Sequence, residues 1–173
     1  MDVLNRAVET LQNDLKDKVL SVDSFRDQTT VDLDRAGILE ACKILHDDAA
    51  LQFNLLAALT AVDYWPKEPR FAVVYQLYSI PNRVFLGLRV PLESDAVEVD
   101  SIESVYPNAN WHEREVFDLF GVDFKGHSDL RRILMPKDWE GHPLRKDYPL
   151  GYEEVQFSFN FDEIDDQKPY AKE

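Results

Sequence analysis

Residues 70–91 read RFAVVYQLYSIPNRVFLGLRVP, and they decide the fold. Phe71, Val73, Tyr75 and Leu77 share one side of a two-residue repeat. Ala72, Val74 and Tyr78 take the other side, so both faces of this strand are expected to be at least partly covered. Ile80-Pro81-Asn82 turns the chain, because Pro81 has no amide to give a ladder and Asn82 suits a turn. Val84, Leu86, Leu88 and Val90 then alternate with Arg83, Phe85, Gly87 and Arg89. Two alternating runs joined by a turn make a β-hairpin. A lone hairpin is not stable in water, so the flanking sequence has to supply more strands and a covering layer.

Upstream, residues 53–65 are long and apolar, and a strand is expected in their second half, ending at Asp63-Tyr64-Trp65-Pro66. Before that, Asp34 is placed to cap a helix over residues 35–47 whose apolar stripe is Ile38, Ala41, Cys42 and Leu45. Val19 to Phe25 and Thr29 to Leu33 read as a second hairpin turning at Asp27-Gln28. Residues 2–17 carry Val3, Leu4, Ala7, Val8, Leu11 and Leu15 at helical spacing. Downstream, Leu92 to Ser101 is acidic and reads as a loop. Ile102 to Tyr106 forms a helical turn that stops before Pro107, and a third helix runs from Asn110 to Phe120. The order αββαβββα predicts an α+β fold, a two-layer α/β domain with helices on one face of a mixed β-sheet. This domain is expected over residues 1–120, followed by a long irregular C-terminal arm over 121–152 and an acidic tail over 153–173. In the tail, Val155, Phe157, Phe159 and Phe161 alternate in strand-like fashion.

Composition narrows function. The 173 residues carry a net charge of -14, which argues against nucleic acid and anionic lipid as partners. No signal peptide and no bilayer-spanning run is expected. The single cysteine, Cys42, rules out an internal disulfide and an iron–sulfur cluster held by this chain alone. There is no GxGxxG, no GxxxxGK[ST] and no GxSxG. His46, His112, His127 and His142 lack metal-ligand spacing and are read as structural or surface groups.

The candidate site lies in residues 111–150, WHEREVFDLFGVDFKGHSDLRRILMPKDWEGHPLRKDYPL. On a helical projection Val116, Phe117, Leu119 and Phe120 make one face, with Arg114, Glu115 and Asp118 opposite. Arg114 and Asp118 have the i,i+4 spacing of an ion pair. Glu113 falls inside the apolar face, where a carboxylate is costly unless partnered. Three readings stand for it: at the rim reaching solvent, paired with Arg131 or Arg132, or a catalytic acid; the ion pair is favoured. After Gly121, the prolines 136, 143 and 149 exclude regular structure, and aromatics with arginines are the residue types of interface hot spots. The residues alone therefore favour a binding or assembly protein over an enzyme.

This stretch resembles the thirty-kilodalton subunit family of respiratory complex I, the NADH-quinone oxidoreductase. The matching pieces are Glu113-Arg114-Glu115, Asp118-Leu119-Phe120-Gly121, His127, Leu130-Arg131-Arg132-Ile133-Leu134, Asp138-Trp139 and Gly141 to Leu150, which includes Arg145, Lys146 and Asp147. Leu59 to Tyr64 and Phe71 to Tyr75 fit less distinctively. The resemblance implies a subunit of the hydrophilic arm with no cofactor of its own, flavin, iron–sulfur clusters and quinone belonging to partner subunits. It implies the large quinone-site subunit of complex I and neighbouring cluster-bearing subunits of the peripheral arm as partners. It places the chain peripherally at the cytoplasmic face of the bacterial inner membrane, attached only through the complex. Catalytic, cofactor and metal residues are expected to be absent, with Glu113, Arg114, Glu115, Asp118, His127, Arg131, Arg132, Arg145, Lys146 and Asp147 serving fold or interface ion pairs. The rivals are an equivalent subunit of a ferredoxin-dependent or hydrogenase-type membrane complex, and a free-standing hydrolase using Asp63, His127 or His142.

Overall fold

The structure, a computed structural model, describes residues 2–149. The acidic tail and its strand-like alternation lie outside the described residues. Helix α1 (Val3–Leu15) buries Ala7, Leu11 and Leu15, the stripe its periodicity marks. Strands β1 (Val19–Phe25) and β2 (Gln28–Leu33) form the first hairpin. Its turn residues Arg26 and Asp27 both have positive φ, 49° and 63°, which suits the right-handed twist of a two-residue connection. The Asp34 carboxylate accepts from Ala36 N–H at 2.9 Å and opens a 3-10 turn over Arg35–Gly37. Helix α2 follows at Ile38–Asp47, burying Ile38, Ala41, Cys42 and Leu45.

Strands β3 (Leu55–Asp63), β4 (Phe71–Ser79) and β5 (Val84–Leu92) are successive antiparallel neighbours. Strand β3 is thus longer than the expected second half of residues 53–65. The sheet order is β1-β2-β5-β4-β3, and its one parallel pairing, β2 with β5, makes it mixed. Phe71, Val73, Tyr75 and Leu77 are buried on the helix-covered face, together with Leu86, Leu88 and Val90 of β5. On the other face Ala72 is buried, while Val74, Gln76 and Tyr78 are half-buried. Each fully buried Phe or Leu of this core contributes about 1.5–3 kcal/mol relative to exposure.

The expected loop over 92–101 contains β6 (Glu98–Asp100), which pairs in parallel with β7 (Asp123–Lys125) after helix α3 (Ala109–Phe120). Three-residue strands carry little periodicity of their own; this pair exists because α3 returns the chain beside Val97. Val99, Val122 and Phe124 are buried there. The pairing closes the domain just past α3 and sets the direction in which the following segment leaves.

Candidate functional site

Helix α3 is buried on two sides, and most of the candidate residues sit on it or are held by it. On the domain side, Glu113 is fully buried. Ser101 Oγ donates to its Oε2 at 2.6 Å and the Ile102 N–H to its Oε1 at 2.8 Å. The buried His127 ring places Nε2 4.0 Å from Oε2. Asp129 N–H donates to His127 Nδ1 at 3.0 Å, so the ring proton sits on Nε2 and points to the Asn110 carbonyl at 3.1 Å. Burial is the largest influence on Glu113 and pushes its carboxyl up, against the opposing hydrogen bonds from Ser101 and Ile102. The favoured pairing of Glu113 with Arg131 or Arg132 is therefore corrected. Arg131 meets Asp129 at the surface at 2.9 Å, and Arg132 goes to Asp118.

The opposite, polar side of α3 is covered by the segment that follows. Asp118 is fully buried. Arg132 Nη1 donates to its Oδ1 at 2.7 Å, and the amides of Ile133, Leu134 and Met135 converge on its Oδ2 at 3.0, 2.7 and 2.8 Å. Desolvation alone would raise this carboxyl; the amides and Arg132 together hold it below the usual range. Arg132 Nη2 also donates to the carbonyls of Trp139 and Gly141 at 3.0 and 2.9 Å. Arg114, 8% exposed, donates to the carbonyls of Arg131 and Arg132 and lies over the Trp111 ring at 5.2 Å. The expected Arg114–Asp118 pair is thus replaced: each residue spends its hydrogen bonds on the incoming segment.

A third tie forms at the end of α3. Gly121 adopts φ +73°, the left-handed conformation that closes many helices. Arg145 Nε donates to Phe120 O at 2.6 Å, His142 Nδ1 to Asp118 O at 2.9 Å and Leu144 N–H to Leu119 O at 3.1 Å. These donors satisfy the last carbonyls of the helix, and the Arg145 cation complements the negative end of its dipole. A Cβ at position 121 would meet Arg145 and His142 at 2.5 Å, so the close fit requires glycine.

The fourth tie crosses to the sheet. Arg70 donates to Asp63 at 3.1 and 3.0 Å and to Asp147 at 2.9 and 2.6 Å, a fork held between two carboxylates. Asp63 also accepts from the amides of Trp65 and Lys146, at 2.9 and 2.8 Å. Burial would raise the Asp63 carboxyl, but the Arg70 hydrogen bonds, the two amides and the Arg70 charge outweigh it and hold it at about 2. The guanidiniums of Arg70 and Arg145 lie 4.7 and 5.2 Å from the Phe71 ring centre.

Of the sequence candidates, the structure gathers Glu113 with His127, Arg114 and Asp118 with the backbone of 131–135, and Arg145 and Asp147 with the α3 terminus and Arg70. The Glu115 and Lys146 side chains are exposed, and Lys146 contributes through its amide. Sequence reasoning missed Arg70 and Ser101 altogether. Asp63 and Arg70 bracket the YWPKEP loop, and that flanking of one loop by opposite charges was the available signal. Among the described residues, no group of three or more His, Cys, Asp or Glu is placed to hold a metal ion. Cys42 is fully buried, and burial pushes its thiol well up, which suits packing and not nucleophilic attack. Among the described residues no helix is long and apolar enough to cross a membrane. The geometry is that of a segment fastened to a domain.

Comparison with known proteins agrees with this geometry. The family described as "Respiratory-chain NADH dehydrogenase, 30 Kd subunit" matches residues 31–154, which include all four ties. A NADH-quinone oxidoreductase subunit of Roseiflexus sp. (strain RS-1) is 49% identical over 166 residues, 96% of this chain and 95% of its own. The equivalent NADH-quinone oxidoreductase subunit of Geobacter sulfurreducens is 50% identical over 147 residues, 84% of this chain and 90% of its own. The solved trypsin-resistant fragment (1-134) of Nqo5 superposes with TM-score 0.63 at 30% identity, covering 74% of this chain and 99% of that one. A chain of the archaeal membrane-bound sulfane sulfur reductase shares the fold, with TM-score 0.69 at 21% identity over 98% of this chain and 95% of that one. This chain belongs to the respiratory-chain NADH dehydrogenase 30 kDa subunit family.

Proposed function

We propose that the chain is a non-redox assembly subunit of the peripheral arm of a proton-translocating NADH-quinone oxidoreductase, at the cytoplasmic face of the bacterial inner membrane. It braces the large quinone-site subunit and the cluster-bearing subunits beside it. The domain through β7 anchors it, the segment that follows presents the clamping surface, and flavin, iron–sulfur clusters and quinone belong to the partners. The observation that carries this reading is how the charged motif residues are used. Asp118 and Arg132 bind each other and backbone, Arg145 binds backbone and Asp147 binds Arg70, leaving no nucleophile–base pair among them. Their work fixes an irregular segment whose outer side exposes Leu134 and Leu144, at 61% and 52%. Two large exposed aliphatics on a backbone already held in place lower the ordering cost of docking.

The test is the double substitution Leu134→Asp and Leu144→Asp in the full chain within the complex. Both side chains face outward, so the thermal midpoint of the purified chain should stay unchanged. The large quinone-site subunit should no longer co-purify with the tagged chain, and NADH:quinone turnover of the membranes should fall at least tenfold. Normal co-purification, or NADH turnover by the purified chain alone, removes the proposal.

A further inference from the structure

The face of the sheet away from the helices carries a second feature that the four ties do not use. Strand register aligns Phe85 of β5, Tyr78 of β4 and Leu55 of β3 in one row, and Phe25 of β1 stands opposite Gln28 of β2 toward the same end of the sheet. Phe25 is 71% exposed, Phe85 56% and Leu55 39%, and the Tyr78 and Phe85 rings touch with centroids 4.5 Å apart. The run Phe85–Tyr78–Leu55, with Phe25 beyond the polar Gln28, leaves large apolar side chains on an open sheet face, which is costly in water and marks a contact surface. Each of the two hairpin turns beside the row carries an exposed arginine. Arg26 lies over the Phe25 ring at 5.1 Å, and Arg83 precedes β5. Neither arginine makes an ion pair among the described residues, although this chain carries a net charge of -14. Aromatic residues beside unneutralised arginines are the composition of a protein hot spot.

We infer that this row docks a segment of another subunit that presents aliphatic or aromatic side chains flanked by carboxylates. The inference rests on the chain working inside a complex, but the surface is separate from the clamp. The clamp is tied at the Asp63 and Phe71 end of the sheet, and the row lies toward the other end of β4, about 23 Å away for the seven steps of extended chain from Phe71 to Tyr78. Two surfaces at opposite ends make the domain a bridge between two neighbours. The carboxylates meet Arg26 and Arg83, and the apolar side chains cover Phe25 and Phe85. A second copy of this chain is disfavoured as the occupant, since two bodies of charge -14 repel.

Maleimide labelling of a Phe85→Cys variant, read by mass spectrometry of this chain, tests the inference. Cys42 is fully buried and gives a low background. The variant should label rapidly in the purified full chain and at least tenfold more slowly in the intact complex, while a Lys43→Cys variant on exposed α2 labels alike in both. Adding Arg26→Glu and Arg83→Glu should restore fast labelling in the complex. A benzoylphenylalanine replacing Phe85 should crosslink to a carboxylate-flanked apolar peptide of another subunit. Equal labelling of Phe85→Cys in the free chain and the complex overturns the inference. So does crosslinking to lipid, to a second copy, or to residues 150–173 of the same chain. Labelling of a Leu144→Cys variant separates the two readings: protection there with none at Phe85→Cys leaves the clamp standing and removes the row, and protection at neither site removes both.

Discussion

Removing the Asp63 charge is the most direct way to weigh the tie between segment and sheet. Asp63 receives two hydrogen bonds from Arg70 and one each from the amides of Trp65 and Lys146, and its side chain is 2% exposed. These partners hold its carboxyl at about 2, against an ordinary 3.8. At 1.36 kcal/mol per pH unit the displacement corresponds to about 2 kcal/mol of folding free energy. The folded value is depressed, so the stabilisation is fully present above pH 3.8 and is lost as pH falls toward 2. Asp63→Asn keeps the size and one acceptor but loses the charge. In urea unfolding at pH 6 the variant should therefore be about 2 kcal/mol less stable than the parent chain. Because only the parent titrates at this site, the gap between the two should close between pH 4 and pH 2. Hydrogen exchange at the Lys146 amide should quicken in the variant, since that amide donates directly to the carboxylate. A gap that stays constant across this range, or a variant within about 0.5 kcal/mol of the parent at pH 6, would refute the reasoning. Asp147 would then be the sole partner that matters to Arg70.

Three further perturbations test other parts of the site. Gly121→Ala places a Cβ 2.5 Å from Arg145 and His142 at a φ of +73°; it should cost about 2–4 kcal/mol in urea unfolding, and a cost below 1 kcal/mol would show that the segment yields easily. Tyr75→Phe removes a buried hydroxyl that has no hydrogen-bond partner among the described residues, so the urea midpoint should rise, by about 1 kcal/mol of stability; a fall would reveal a partner for the hydroxyl. Glu113 has a folded carboxyl value raised above its ordinary 4.5, so the folded state holds its proton longer and stability declines as pH climbs above 4.5. Glu113→Gln removes this titration while keeping an acceptor for Ile102 N–H, and its stability relative to the parent should improve as pH rises above 4.5 and level off once the folded carboxyl has ionised. A pH-independent difference would mean that burial does not govern Glu113.

Legibility in the chain followed the strength of the local signal. The 70–91 hairpin, the stripe Ile38, Ala41, Cys42 and Leu45, and the Ala7–Leu11–Leu15 stripe emerged as read, because each repeats the period of its element over several turns or pleats. The pairing of β6 with β7 was not legible, because three residues are too few to show a period and their partner is more than twenty positions away. Among the site residues, Glu113 stands out in the sequence as a buried carboxylate in need of partners. Its actual partners escape such a reading because a serine hydroxyl and a main-chain amide leave no mark in a charge pattern. A helical projection places Arg114 and Asp118 on the polar side at pairing distance, but holds no record of the later segment whose backbone takes their hydrogen bonds instead.

The sequence by itself determined the order of the three helices and the first five strands, the buried stripes and, through the string from Glu113 to Leu150, the family. Those properties depend on neighbours along the chain, where periodicity and motif spacing are explicit. Only the tertiary structure decided that α3 is covered on both sides, with the segment after Gly121 folded back over Asp118 and fastened to Arg70. A carboxylate's partners are whatever donors the path of the chain delivers to it. Three consecutive amides meeting Asp118 Oδ2, and one amide reaching Asp63 from 83 positions away, arise from that path.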